Sequence, residues 1–211
     1  MLDCTTDKYH QLYARWLVNP GTLLDAAGWK PGMTLLDLCG GPGIVTREAL
    51  RRGAKPEDIT LVDLNPRAAD TGVRQVRSRM EDLQWKMTSA DWDSYDVAVC
   101  RQAIGYVDIR SNFARDVHLL LKPGGVFAFN TFRRPRWALR HYAFEGKTFI
   151  EASGFIGRTV IHLQAARGIG WDLTRFRWHS EEELSKAFQK FGLLVVKEGR
   201  SIHFLCRKGQ A

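Results

Sequence analysis

The segment 35–46, Leu-Leu-Asp-Leu-Cys-Gly-Gly-Pro-Gly-Ile-Val-Thr, constrains this chain more than any other. Its apolar opening reads as a buried strand with Asp37 inside the run. Three glycines and a proline follow, and a helical pattern then continues to Arg52. A strand, a glycine turn and a helix start form a ligand cradle: backbone N–H groups face outward and no Cβ blocks approach. A second apolar run, 59–63, ends in Asp63, 20 residues after Gly43. At that distance an acid reaches the hydroxyls of a bound ribose.

The glycine spacing separates the two ligand classes that use such a cradle. A dinucleotide fingerprint begun at Gly41 requires glycine at position 46, which is Thr46. A carboxylate just before the turn, Asp37, suits a cationic group such as an ammonium better than a pyrophosphate. On these residues the chain resembles the class I S-adenosylmethionine-dependent methyltransferases, whose first motif runs D-x-G-x-G-x-G. Asp37, Gly41 and Gly43 match it, and Cys39 stands where the family usually has its first glycine. The resemblance implies an α/β fold: a doubly wound, mostly parallel seven-stranded sheet with an antiparallel last strand. It implies S-adenosylmethionine as cofactor, contacted by Asp37, Cys39, Gly40, Gly41, Gly43, Asp63, Leu64 and Arg101.

A chain of 211 residues is enough for one such domain over 1–211. Four scattered cysteines with no C-x-x-C pair argue against a zinc site or a disulfide framework, so no metal is expected and a reducing cytoplasm fits. No secretory leader and no apolar run of membrane-spanning length is apparent, so no membrane association is expected. The net charge is +8, and residues 133–178 carry most of it, with nine basic residues against three acids. Such a patch can steer an acidic partner, nucleic acid included. The plainer reading is a solvated surface.

Along the chain, Tyr9, Leu12, Tyr13, Trp16 and Leu17 have helical spacing and predict an amphipathic helix over 7–18. A short helix over 22–27 follows Pro20, completing an N-terminal helical cap over 1–30. Pro66 is placed to open a helix reaching Met80, with a third strand over 83–87. The family resemblance then assigns Asp91 to the adenine amino group and Trp92 to the ring face. A fourth strand is expected over 96–100, and the loop leaving it brings Arg101, Gln102 and Tyr106 near the transferred methyl group. That loop lacks the [N/D/S]-P-P-[Y/F/W] tetrapeptide of DNA amine methyltransferases. Cys100 follows Val99 rather than proline, unlike a cytosine C5 nucleophile, and reads as core.

A helix over 112–121, a Lys-Pro-Gly-Gly turn and a fifth strand over 126–132 follow. Residues 133–178 read as a small antiparallel β insert, a substrate lid rich in arginine and aromatic residues. A capping box at Ser180 opens a helix stopped by Gly192, and 193–197 with 201–206 form a closing antiparallel pair. General-base candidates are His141 and His162, with Tyr106 behind them. The expected activity is methyl transfer to O, N or C of a small planar or anionic acceptor. The alternatives are a methyltransferase acting on RNA, tRNA or DNA through the basic insert, and a non-catalytic cofactor-binding module that regulates a partner.

Overall fold

Short apolar runs bounded by glycine turns become the strands of one sheet. The structure, a computed structural model, describes residues 19–109, 112–132, 179–198 and 201–210. Strands β1 (Leu35–Leu38), β2 (Ile59–Asp63), β3 (Arg74–Arg77), β4 (Tyr95–Arg101), β5 (Leu121–Phe132), β6 (Gly192–Glu198) and β7 (Ser201–Arg207) lie in the order β3-β2-β1-β4-β5-β7-β6. The first five run parallel, and β7 is antiparallel to both its neighbours. Parallel strands buried on both faces need nearly continuous apolar sequence, which is why β1, β2 and β4 carry it.

Helices α1 (Pro20–Ala26) and α2 (Ile44–Arg51) cover one face. Leu23, Leu24, Val45 and Ala49 pack there on Leu35, Leu61, Val97, Val99 and Ala128. Helix α1 starts where Pro20 meets the Asn19 cap, whose Oδ1 accepts from the amide of Gly21 at 2.8 Å. On the opposite face α3 (Leu83–Lys86), α4 (Phe113–Leu120) and α5 (Glu181–Ala187) bury Leu36, Leu38, Cys100, Phe127 and Phe129. Phe129 stacks on Phe204 with centroids 4.8 Å apart. The capping box opening α5 is formed as expected: Glu183 N donates to Ser180 Oγ at 3.0 Å and Ser180 N to Glu183 Oε2 at 3.1 Å.

Two sequence expectations are corrected. No helix runs from Pro66 to Met80. That stretch holds a three-residue turn closed by Gly72 at φ +74°, and then β3, paired to β2 from Thr60↔Arg74 to Asp63↔Arg77. Leu83–Met87 is not the third strand. Leu83 and Met87 are one helical turn apart, both buried, and the Met87 amide donates to the Leu83 carbonyl at 2.8 Å. Val73, Val76 and Met80 mimic a helical stripe. As the outermost strand, β3 needs few apolar residues, and Arg74 and Arg77 stay exposed. The expected helix 7–18, the insert over 133–178, His141 and His162 lie outside the described residues.

Candidate active site

Parallel strands ending at one edge leave their last side chains and following loops on that edge, where open α/β sheets bind ligands. The strand order reverses at β1 and β4, which run side by side with Leu38 opposite Cys100. The chain leaves β1 through Cys39 at φ +56° and Gly41 at φ +50°, and enters α2 from Gly43 at φ +75°. The left-handed step at Cys39 breaks strand alternation. Its half-buried side chain joins the same cluster as Leu38, where it touches the Cys100 thiol. That hydrogen bond, together with burial, pushes the Cys39 thiol up and keeps it protonated.

The three glycines of the turn have different reasons to be glycine. A Cβ on Gly40 would lie 2.8 Å from Leu61 and 2.9 Å from the Asp37 carboxylate, and one on Gly43 would lie 2.8 Å from the Ala68 methyl. Both are closed by the protein itself. A Cβ on Gly41 would meet nothing nearer than Asp63 Oδ2 at 4.0 Å. That side of Gly41 is open.

Two acids hold the turn in place. Asp37, only 1% exposed, accepts on Oδ2 from Thr46 N at 3.1 Å and from Thr46 Oγ1 at 2.7 Å, fixing the first turn of α2. Burial pushes its carboxyl up to about 6, against those two hydrogen bonds. Asp63 accepts from Gly41 N at 3.1 Å and Asn65 N at 2.7 Å, so it joins the ends of β1 and β2. The Gly41 carbonyl accepts from Arg67 N at 2.9 Å, and Leu64 beside Asp63 is 50% exposed.

Strand register brings further polar residues to the same edge. Asp63 pairs with Arg77, Arg101 with Asn130, and Asn130 with His203. Asp63, Arg101, Asn130 and His203 each lie two residues from an apolar residue of that face on their own strand (Leu61, Val99, Ala128 and Leu205), so these side chains share the face that α1 and α2 cover. Neither Asn130 nor His203 was singled out in the sequence. The available signal was the one that exposed Asp63, a polar residue closing an apolar strand. Tyr106 is 42% exposed on a short 3-10 turn beyond β4.

Asp91 and Trp92 do not join the site. Asp91 caps its own turn by accepting from Thr88 N at 2.7 Å, and forms an ion pair with Arg74 at the start of β3. Tyr95, at the start of β4, donates its hydroxyl to Thr60 Oγ1 at 3.0 Å beside them. This is the amino edge of the sheet. Thr60, near the start of β2, and Asp63, at its end, are three residues apart, about 10 Å. Burial opposes ionisation of Asp91, but the Arg74 guanidinium and the Thr88 amide hold its carboxyl below the usual range. Replacing Asp91 with Asn should therefore destabilise the fold by about 2 kcal/mol in urea unfolding and leave cofactor affinity unchanged. A fall in affinity without loss of stability would return Asp91 to the site. The segment after β3 at the carboxyl edge is 78–82, where Ser78 N donates to the Asp63 carbonyl at 2.9 Å.

A family profile for the methyltransferase domain matches residues 10–198. The chain belongs to that family. Among curated relatives of this methyltransferase is the ubiquinone/menaquinone biosynthesis C-methyltransferase UbiE of Idiomarina loihiensis, 24% identical over 156 residues, 71% of this chain. The chain spans 60% of that relative's length. Among solved structures, the 1,6-didemethyltoxoflavin-N1-methyltransferase of Burkholderia thailandensis superposes with a TM-score of 0.59 at 18% identity, covering 96% of this chain and 84% of its own. The geranyl diphosphate C-methyltransferase of Streptomyces coelicolor gives 0.61 at 17%, covering 97% and 79%. By family and fold the chain belongs with the class I S-adenosylmethionine-dependent methyltransferases. Among the described residues, no helix is long and apolar enough to cross a membrane.

Proposed function

We propose that this methyltransferase moves the methyl group of S-adenosylmethionine to a small planar or anionic acceptor, with carbon the favoured receiving atom. The observation that carries the reading is the turn at Gly41, open on the side that faces Asp63. The curated relatives named as C-methyltransferases favour carbon.

The cofactor supplies a methyl group on a sulfonium, already activated for in-line displacement. What remains for the protein is alignment and exclusion of water. Gly41 admits the ligand to backbone distance, while Gly40 and Gly43 let the turn pack against Leu61, Asp37 and Ala68. Asp63 binds the ribose hydroxyls while its hydrogen bonds to the Gly41 and Asn65 amides keep it aimed. Leu64 covers an adenine face. Asp37 places negative charge beneath the turn, where the cofactor ammonium is held, and Arg101 stands at the end of β4 next to it. Asp91 and Trp92 are left out of this assignment. His141 and His162 remain base candidates.

Two measurements test the reading. Labelled methyl transfer to a panel of quinols, phenols and enolisable acids should mark the product on carbon with at least one of them; failure across the panel with retained cofactor binding would refute the acceptor class. Asp63→Ala should weaken S-adenosylhomocysteine binding about tenfold or more, since a hydrogen bond to a charged group contributes roughly 1.5–3 kcal/mol. Unchanged affinity by calorimetry would remove Asp63 from the site.

A further inference from the structure

Asn130 has no assignment in the cofactor site, yet its environment is the least satisfied in the polar row. It follows Val126 and Ala128 on one face of β5 and is completely buried. Its Oδ1 accepts from the Gln102 amide at 3.0 Å. Only an oxygen can meet an N–H, so this bond fixes which end of the amide is which, and Nδ2 is a donor. Among the described residues, that buried Nδ2 meets no acceptor. Such an orphan costs a protein free energy wherever it is kept, and the exceptions concentrate where a ligand completes the bond. Gln102 stands at φ +55°, a left-handed conformation rare for a residue with a side chain. Backbone held in this way also clusters at functional sites.

Its position says which ligand. Strand β5 is two strands from β1, about 10 Å across the sheet, so Asn130 lies beyond the glycine turn and Asp63. Arg101 is its registered neighbour on β4, on the same face. Strand register sets these two residues side by side on one face beyond the glycine turn, and a guanidinium with an amide donor is a pair suited to one anionic oxygen.

We propose that Asn130 Nδ2 and Arg101 together bind the ionised oxygen of the methyl acceptor, a phenolate or an enolate. The inference rests on the methyltransferase reading above and names the acceptor chemistry that reading leaves open. An acceptor held as its oxyanion is the electron-rich form that attacks the methyl carbon, through its oxygen or through the conjugated carbon two bonds away. The S–CH3 bond breaks, S-adenosylhomocysteine leaves, and after attack at carbon that carbon gives up its proton to solvent.

The test uses 4-nitrophenolate, at mildly alkaline pH where it is ionised, with 4-nitrotoluene as the uncharged shape control. Both are titrated into the full chain saturated with S-adenosylhomocysteine. Asn130→Asp keeps an oxygen for the Gln102 amide and removes the donor; Asn130→Leu removes both without charge. Nitrophenolate should bind the parent protein with a shifted absorption band. Its affinity should fall about tenfold or more in both variants, while nitrotoluene binding and S-adenosylhomocysteine affinity stay within twofold. No nitrophenolate binding to the parent, or equal binding to parent and variants, overturns the proposal and leaves the cofactor reading standing. An equal loss of S-adenosylhomocysteine affinity in both variants would assign the amide to the cofactor or the fold, and also overturns it. A parent protein that binds no S-adenosylhomocysteine brings down both.

Discussion

Gly41→Asn is expected to weaken S-adenosylhomocysteine binding at least about a hundredfold while the protein stays folded. A hundredfold corresponds to about 2.7 kcal/mol. The expectation combines two facts about one residue. Gly41 has φ +50°, which asparagine tolerates better than most residues, so the turn can keep its shape with a loss of stability under about 1 kcal/mol. Its missing Cβ points at Asp63 across otherwise open space, and a side chain there fills the volume through which the ligand reaches both the backbone and the carboxylate. Gly43→Asn is the contrasting case. Its Cβ would collide with Ala68 at 2.8 Å and crowd Leu61 at 3.3 Å, so overpacking of about 1–3 kcal/mol lowers the melting temperature as well. Calorimetry and thermal melts on the two variants separate a cradle glycine from a packing glycine. Binding by Gly41→Asn within threefold of the parent protein would show that the cofactor does not approach this turn.

How far the sequence carries depends on whether a residue's role is local. The strand–turn–helix at 35–51, the acid ending β2 and the capping box at Ser180 are each specified by residues close in sequence, and each forms as read. Strand β3 is different. It has four residues, two of them exposed arginines, and its existence is decided by pairing with β2 rather than by its own pattern. Missing it shifted the count of strands. With the third strand set at 83–87, the acid after it became Asp91; with β3 at Arg74–Arg77, Asp91 precedes β4 and belongs to the opposite edge. One misassigned element thus moved one cofactor contact to the wrong side of the sheet. Asn130 escaped notice for a related reason. Its importance comes from register with Arg101 and from an unmet donor, and both are properties of neighbours 29 residues away in sequence or of burial. The functional residues hardest to read are those defined by which strand lies beside which.

The buried carboxyl of Asp37 makes the cofactor-free fold sensitive to pH in a window set by its own titration. Burial raises it to about 6, against 3.8 for an ordinary aspartate. The folded protein therefore favours the protonated form. The stabilisation this provides is fully present below about 3.8 and is lost as pH rises through 6, amounting to about 3 kcal/mol. The other resolved carboxyl shifts run the opposite way. Glu48 is held at about 2 by Arg51 and Arg52, and Arg47 lowers Asp70, so these groups titrate below the window. Asp37→Asn mimics the protonated form at every pH. In urea unfolding without cofactor, the variant should match the parent near pH 4 and exceed it by about 3 kcal/mol near pH 7. Cofactor binding should respond with the opposite preference, because an ammonium above the turn favours the carboxylate. Affinity in the parent should rise about tenfold per pH unit below 6 and flatten above it, while in Asp37→Asn it should be weaker and flat. A parent affinity independent of pH between 4.5 and 7 would mean that Asp37 serves only to anchor Thr46, with no electrostatic part in holding the ligand.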